Sequence, residues 1–509
     1  MMLPNKIYHQ RGESIMPQGV LPYKYEEEKT DSGMTALAGL PTCLDLASVL
    51  NPGESISTHL HVRTRGWTGG RIILSLVLLN LAGGECVDDL RILEADRGFC
   101  RILQRMELKD LSRKTRRRKE KQWRTEKHRS VPSASAVFRY LSAFHEERAR
   151  EEGKAAIPPL TELLCALEMV HTDLVHAIHQ QNPMDCATLD MDATLIETAK
   201  KDALFSYKGY KAYQPLNTYR AEPGLILHTE FRDGNVPAGH EQLRVFMKAL
   251  SLIPEGVKTV RLRSDTAGYQ HDLLKYCDDE QRHPRFGRIE FAIGCDVTPE
   301  FRKAVNEAPE WHHLIDKKGH ICGEYAEVCF VPNKGAVTKK KEPYRYIAIR
   351  ERLKQPNLPG MDSLPFQTIT FESTRYKLFG IVTNMDWEGS KLISWQHERC
   401  GRSEEAHLIM KEDLAGGRLP SGDFGENAAW WSITVLAHNL NAAMKNLILK
   451  GPWVMKRMKA IRFNLITLPG RVMERSRQLF IRLAGNHPSF DLLLAARQRI
   501  MEPGYAPSG

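Results

Sequence analysis

From Thr42 to about Leu108 the apolar residues recur at helical spacing, in clusters around Leu44, Leu46 and Leu50, then from Ile72 to Leu81, then at Leu90, Ile92 and Leu93. Glycine-containing breaks, "RGWTGG" and "AGGE", separate them, and the pattern predicts a small helical domain. Residues 1 to about 35 are polar and aperiodic and read as a loosely ordered lead-in. In "SVPSASAVFRYLSAF", Ser133 or Ser135 is placed to cap a helix starting near Ala136, and a further helix is predicted from Leu160 to about Gln180.

The period then shortens. "ATLDMDATLI", "YKAYQPLNTY" and "GLILHTEF" read as three strands, "HEQLRVFMKAL" as an amphipathic helix and "KTVRLRSD" as a fourth strand ending in an acid. Three strands, a helix and a strand form the opening of a ribonuclease-H-like α/β domain. Residues 286 to 385 look rich in strands, "RIEFAIG", "YAEVCFV", "YRYIAIRERL", "FQTITF" and "LFGIVTN", with "NKGAVTKKKEP" as a basic loop. Helical texture returns from about Ser403 to Leu449. In the basic stretch around "FNLITLPGRVMERSRQLFIRLAG" the period does not decide between helices and strands. No internal repeat is seen.

The expected fold is a ribonuclease-H-like mixed sheet with flanking helices, interrupted by a β-rich insertion and preceded by a helical N-terminal domain. The expected divisions are 1–35, lead-in; 36–108, helical DNA-binding domain; 109–132, basic linker; 133–183, helical segment; 184–285, first part of the catalytic domain; 286–390, β-rich insertion; 391–450, second part; and 451–509, basic C-terminal region.

A chain of 509 residues exceeds one ordinary core, which suggests two to four units, and its 42% hydrophobic and 26% charged content is ordinary for a globular protein. The net charge of +10 is concentrated: residues 109 to 129 hold eleven Lys or Arg against three acids. Such runs are commonly solvated linkers. This excess, with Trp123 interleaved, favours phosphate contact, with Arg113, Lys114, Arg116, Arg117, Arg118, Lys119, Lys121 and Arg124 as candidate DNA-binding residues. Lys456, Arg457, Lys459 and Arg462 form a second basic stretch, toward DNA or a partner subunit. The ten cysteines show neither CxxC pairs nor zinc-ligand spacing, which argues for a reducing compartment and against structural zinc. With no signal-peptide pattern and no apolar run long enough for a bilayer, the expected location is cytoplasmic, associated with the nucleoid.

Strand alternation puts Asp190, Asp192 and Thr194 on one face of the first strand, and Asp265 ends the fourth, where open α/β sheets place their sites. In "WQHERCGRSEEAHLIMKEDLAGG", helical spacing aligns His397, Cys400, Glu404 and Lys411 in one stripe. The plainer alternatives are acids at a strand end in solvent, a turn-capping Asp265, and a solvated helix face with ordinary ion pairs.

Taken together, these stretches resemble the DDE transposases of bacterial insertion sequences, in the branch whose ribonuclease-H-like domain carries a large β-rich insertion. The family's Asp-x-Thr strand is matched by Asp192-Ala193-Thr194, and its Asp-x-x-Gly-(Phe/Tyr) turn by Asp265, Gly268 and Tyr269. Onto its Tyr-(2)-Arg-(3)-Glu-(6)-Lys helix map Glu404 and Lys411, with His397 and Cys400 departing from the Tyr and the Arg. "YKGYKAYQPL", "FRDGNVPAG", "GWTGGRIILSLVLLNLAGGECVDDL" and "GDFGENAAWWSITVLAHNLNAAMK" are also family-like, so the resemblance runs from about Gly19 to Gly485.

The resemblance implies a transposase that binds the terminal inverted repeats of its element, cuts 3' strands and joins the 3'-hydroxyls to target DNA. It implies Asp192, Asp265 and Glu404 as catalytic metal ligands, Lys411 as a DNA contact, and a homodimer on double-stranded DNA. Carboxylate ligands suit Mg²⁺ or Mn²⁺, and two such ions activate the nucleophile and steady the leaving oxygen. Asp190 would be a supporting group beside the site or a surface acid. Consecutive helix residues point about 100° apart, so Glu404 and Glu405 cannot share one metal, and the six-residue gap to Lys411 selects Glu404. Two rivals remain in view, a transposase-derived DNA-binding protein or repressor without catalysis and a structure-selective ribonuclease-H-like nuclease. The presence of all three acids counts against the first.

Overall fold

The computed structural model describes residues 25–26, 32–63, 66–109, 111–125, 128–147, 155, 157–316, 318–332, 344–353, 366–371, 373–476 and 478–502. The basic loop 333–343 and most of the lead-in lie outside them.

The first half is helical: α1 (Leu40–Leu50), α2 (Pro52–His59), α3 (Gly69–Ala82), α4 (Leu90–Ala95), α5 (Arg97–Glu107), α6 (Arg113–Thr125), α7 (Ala134–Ser142) and α8 (Glu162–Gln181). Starts are fixed by side-chain caps: Thr68, Asp96, Ser133 and Thr161 accept from the backbone N–H of Arg71, Phe99, Ala136 and Leu164. Ser133, not Ser135, therefore caps the helix predicted near Ala136. The basic run, expected as a linker, contains the helix α6. Its Arg, Lys, Gln and Glu are good helix formers, and Arg116 pairs with Glu120 one turn on at 2.8 Å.

The sheet begins with β1 (Cys186–Ala193), β2 (Leu216–Arg220) and β3 (Leu225–Glu230), an antiparallel meander. After α9 (Gln242–Ser251) comes β4 (Thr259–Ser264), parallel to β1; after α10 (His271–Asp278) comes β5 (Glu290–Cys295), parallel to β4. The order β3-β2-β1-β4-β5 is that of the ribonuclease-H-like fold. Thus "RIEFAIG", placed within the insertion range 286–390, supplies the fifth strand of this core. A core parallel strand and an added strand carry the same apolar alternation, so periodicity alone does not separate them.

Following α11 (Pro299–Asn306), the chain adds β6 (His312–Ile315), β7 (Ile321–Val328), β8 (Arg345–Arg352), β9 (Thr368–Phe371) and β10 (Thr374–Thr383). β10 pairs antiparallel with β5, and β8, β7 and β6 follow outward, so the β-rich segment continues the same ten-stranded sheet. Against its face lies α12 (Gly389–Leu408), which begins well before Ser403. Ile347, Ile349 and Ile381 of the added strands pack with Leu392 and Ile393 of α12. Glu388 caps α12 by accepting from the N–H groups of Ser390 and Lys391, and Tyr325 of β7 donates to it at 2.5 Å.

α12 runs into a π-helical turn, Ile409–Asp413, and α13 (Phe424–Ala443) follows. Trp430 and Trp431 of α13 are fully buried in one continuous core that also takes Leu76 and Leu79 of α3, Val170 and Leu174 of α8, and Leu189 and Met191 of β1. The expected N-terminal domain accordingly has no separate core: Asn80 of α3 donates to Thr434 of α13 at 3.3 Å inside the shared one. The C-terminal region mixes both textures, with α14 (Met458–Ile461), a hairpin of Gly470–Arg475 and Gln478–Arg482, and α15 (Phe490–Ile500). Among the described residues no single helix is long and apolar enough to cross a membrane; α3 and Val87–Ala95 pass only as a pair bent by 92°, and most of α3 is buried in the core.

Candidate active site at the junction of β1, β4 and α12

Asp192 lies near the C-terminal end of β1, Asp265 just beyond β4, and both face α12. Because β1 and β4 are parallel neighbours with Met191 opposite Ser264, the two acids project from adjacent strand ends. The Asp265 carboxylate accepts from the Ala267 N–H at 3.0 Å in the turn that follows. Gly268 of that turn sits against β4: a Cβ there would fall 2.5 Å from Ser264 Oγ, so a side chain would push the turn off the strand. Tyr269 then shares a 3.0 Å hydroxyl contact with Tyr346 of β8, tying the turn to the added strands.

The two acids of β1 differ. Asp190 is fully buried, and Arg263 of β4 donates to it twice, from Nε at 2.6 Å and from Nη2 at 2.8 Å. Of the two expectations for Asp190 the surface acid is corrected: Asp190 is a buried partner of Arg263 on the strand that carries Asp192. Arg263 is itself held by the Trp395 carbonyl at 2.5 Å and lies over the Trp395 ring.

Asp192 is only partly covered. Burial pushes its carboxyl up to about 6, Arg399 opposes that, and the nearby carboxylates of Asp265 and Glu404 add to the rise. The structure thus brings the three expected acids together. They do not close to the reach of one ion. Among the described residues the His/Cys/Asp/Glu group with ligand atoms all within 4.8 Å is His145, Asp202 and Asp423. There, His145 and Asp202 accept from the first amides of α13, those of Gly425 and Phe424, which is a helix-capping arrangement.

Glu404 is exposed on α12 and acts on Asp192. Glu405 turns the other way, toward Tyr219 and Lys445, whose ionisation it influences. Lys411 sits in the π-helical turn and donates to the Leu195 carbonyl at 3.1 Å, just past β1; burial holds its ammonium below the usual range. His397 and Cys400 are exposed.

Arg399, Ser403 and His407 were missed by the sequence reading. Spaced by four on α12, they form a buried polar stripe facing the sheet. Arg399 Nη1 lies 3.4 Å from Asp192 Oδ2, Ser403 Oγ at 3.4 Å and His407 Nδ1 at 3.7 Å. Neither Nε nor Nη1 of Arg399 has a hydrogen-bond partner, although the side chain is buried. Burial holds His407 down to about 3, so its ring is neutral. A chain of contacts fixes that ring: Trp431 Nε1 donates to Thr229 at 2.9 Å, Thr229 to Asn217 at 2.6 Å, and the Asn217 amide meets His407 Nε2 at 3.0 Å. With Nε2 accepting, Nδ1 carries the proton toward Asp192. The sequence signal was present: polar residues at four-residue spacing that continue the helix face begun by Leu392 and Ile393.

On α6, Arg113, Lys114, Arg117, Arg118 and Lys121 are exposed along one side. Arg116 and Lys119 are half-buried and face acids, Arg116 pairing with Glu120 and Lys119 lying 3.8 Å from Glu107. Arg124 lies in the same helix. Trp123, half-buried, stacks on His128 at 4.5 Å instead of facing outward.

The sequence matches the family described as Transposase DDE domain group 1 over residues 29–504. A cryo-EM structure of the piggyBac transposase synaptic complex with hairpin DNA is similar at 10% identity and a TM-score of 0.44, covering 84% of this chain and 79% of that one. No curated protein matches the sequence.

Proposed function

The chain belongs to the transposase DDE domain group 1 family and is a DNA transposase, and from that premise we propose that Asp192, Asp265 and Glu404 are its catalytic triad. The observation that carries the assignment is that Asp265 and Glu404 lie near enough to Asp192 to add to the rise that burial gives its carboxyl, which reaches about 6. Such mutual repulsion is relieved by a divalent cation. An all-oxygen donor set fits Mg²⁺ or Mn²⁺ better than zinc. When bound, the metal activates the attacking oxygen and stabilises the leaving one.

The protein's own groups do the rest. Ser403 and Arg399 fix the Asp192 carboxylate from the helix side. The family's arginine is replaced by Cys400, and the guanidinium that meets the acids comes instead from Arg399, one position earlier. Lys411 adds a second cation at the end of β1. The exposed side of α6 holds the duplex through its phosphates, a contact that positions DNA without reading sequence. We read the DNA as the inverted repeats of an insertion element and its target, held by a homodimer.

The test is cleavage and gel shift on the same element-end DNA with Asp192→Asn and Asp265→Asn. Both variants should bind and neither should cut; chelation should mimic them, and Mg²⁺ or Mn²⁺ should restore the wild type. Near-normal cleavage by either variant would remove the site assignment.

A further inference from the structure

Three residues beyond β1 the chain forms a small sheet of Ile196–Glu197, Leu204–Phe205 and Lys211–Tyr213. Its inner side is anchored: Ile196, Ala203, Ala212 and Tyr213 are buried, and Tyr213 packs on Phe231 and Phe424 at 4.8 and 5.8 Å. Its tip is a tight turn. Ser206 N–H donates to the Tyr210 carbonyl at 2.8 Å, and Gly209 takes φ +83°, a conformation that favours glycine.

On this rigid base two aromatic rings stand in solvent, Phe205 at 64% and Tyr207 at 77% exposure. Two lysines stand beside them: Lys211 is the register partner of Phe205, and Lys208 lies 5.9 Å from the Tyr207 ring. The patch adjoins the active site. Lys411 reaches the Leu195 carbonyl immediately before Ile196, and Lys208 is close enough to Lys411 to depress its ammonium. Single exposed apolar residues are ordinary. Two exposed rings with a lysine beside each, on an anchored turn that follows the β1 strand end, call for a ligand with flat faces and negative charge.

We propose that this hairpin is a stacking platform for unpaired nucleotides of the DNA strand next to the bond being cut, with Tyr207 and Phe205 against the bases and Lys208 and Lys211 on the phosphates. The proposal rests on the transposase reading. A duplex hides its base faces, so the platform engages only where a strand is unpaired or a nucleotide is turned out.

The experiment uses the full chain and two labelled probes, a blunt duplex and the same duplex with an unpaired thymidine tail, titrated by fluorescence anisotropy. The wild type should prefer the tailed probe by about tenfold, some 1.4 kcal/mol. Phe205→Ser with Tyr207→Ser should bring the ratio close to one, with the melting temperature reporting that the variant is folded. Tyr207→Trp should keep the preference and show quenched tryptophan emission on the tail alone. A wild type without preference, or a double serine variant that retains it, overturns the platform while leaving the transposase reading intact. If the wild type binds neither probe, and Asp192→Asn does not remove metal-dependent cutting, the transposase reading fails and the platform falls with it.

Discussion

Asp190 and Arg263 stand opposite each other on parallel strands, joined by two hydrogen bonds of 2.6 and 2.8 Å in a fully buried setting. Two residues along the same strand, Asp192 meets its nearest cation only at 3.4 Å and has two carboxylates for neighbours. One acid is committed to the fold and the other is left for an external cation.

Opposite outcomes follow for the two positions. Asp190→Asn strands a buried arginine and should cost about 3–5 kcal/mol in denaturant unfolding. Asp192→Asn removes a charge that burial and two neighbouring acids disfavour, and it should leave the melting temperature level or higher while abolishing cleavage. Equal destabilisation by both would show that Asp192 is also a structural ion-pair partner.

Glu404 and Glu405 are separable by cleavage assays on Glu404→Gln and Glu405→Gln. Only the first acts on Asp192, so its variant should fall by several orders of magnitude while the second stays close to the wild-type rate. A dead Glu405→Gln beside an active Glu404→Gln reverses the assignment.

On α6 the exposed cations should behave unlike the paired one. Gln at Arg113, Arg117 and Arg118 should reduce the salt dependence of duplex binding by about 0.9 per lost contact. Arg116→Gln, which mainly breaks the pair with Glu120, should leave that slope nearly unchanged. Equal slope losses would place Arg116 on the DNA as well.

His407 acts through Asp192. His407→Asn keeps an N–H near the Nδ1 position and should retain much of the cleavage rate, whereas His407→Gln offers its amide at the far nitrogen and should lose more. A positioning role also predicts that the metal concentration for half-maximal activity rises in the Gln variant. Identical rates and metal dependence in both would leave His407 a packing residue.

Two other buried histidines set the acid limit of stability. Burial holds His171 and His438 down to about 4 from an ordinary 6.5. Between those values the unfolded chain binds the protons and the folded one does not. Stability is therefore complete above about pH 6.5 and falls as the pH drops toward 4, by up to about 1.4 kcal/mol per unit for each histidine. Urea midpoints across that range test this, and His171→Gln should flatten the slope.

Much of the catalytic sheet was legible because each strand carries a short apolar run between turn residues, and because the Asp192 and Asp265 strands end where the pattern ends. Helix caps such as Ser133 were readable for the same local reason. What escaped was non-local. That β5 pairs with β4 and also with β10 is decided by tertiary contact, since its own pattern serves either sheet position. The helical state of α6 was hidden behind its charge, and α12 was begun late because its first turns carry the apolar residues that meet the added strands. Arg399 was passed over because the family spacing pointed to Cys400, although the stripe through Ser403 and His407 marks the buried side of the helix.

The continuous core that joins α3 and α8 to α13 bears on how this enzyme could be re-engineered. Transposases are often imagined as a reader joined by a string to a cutter, in which case a foreign reader could be spliced on. Here the helices that lead to α6 supply part of the wall on which Trp430 and Trp431 rest. Replacing the first hundred residues would open the interior behind the sheet, so a graft at the N-terminus has to add to these helices and not substitute for them.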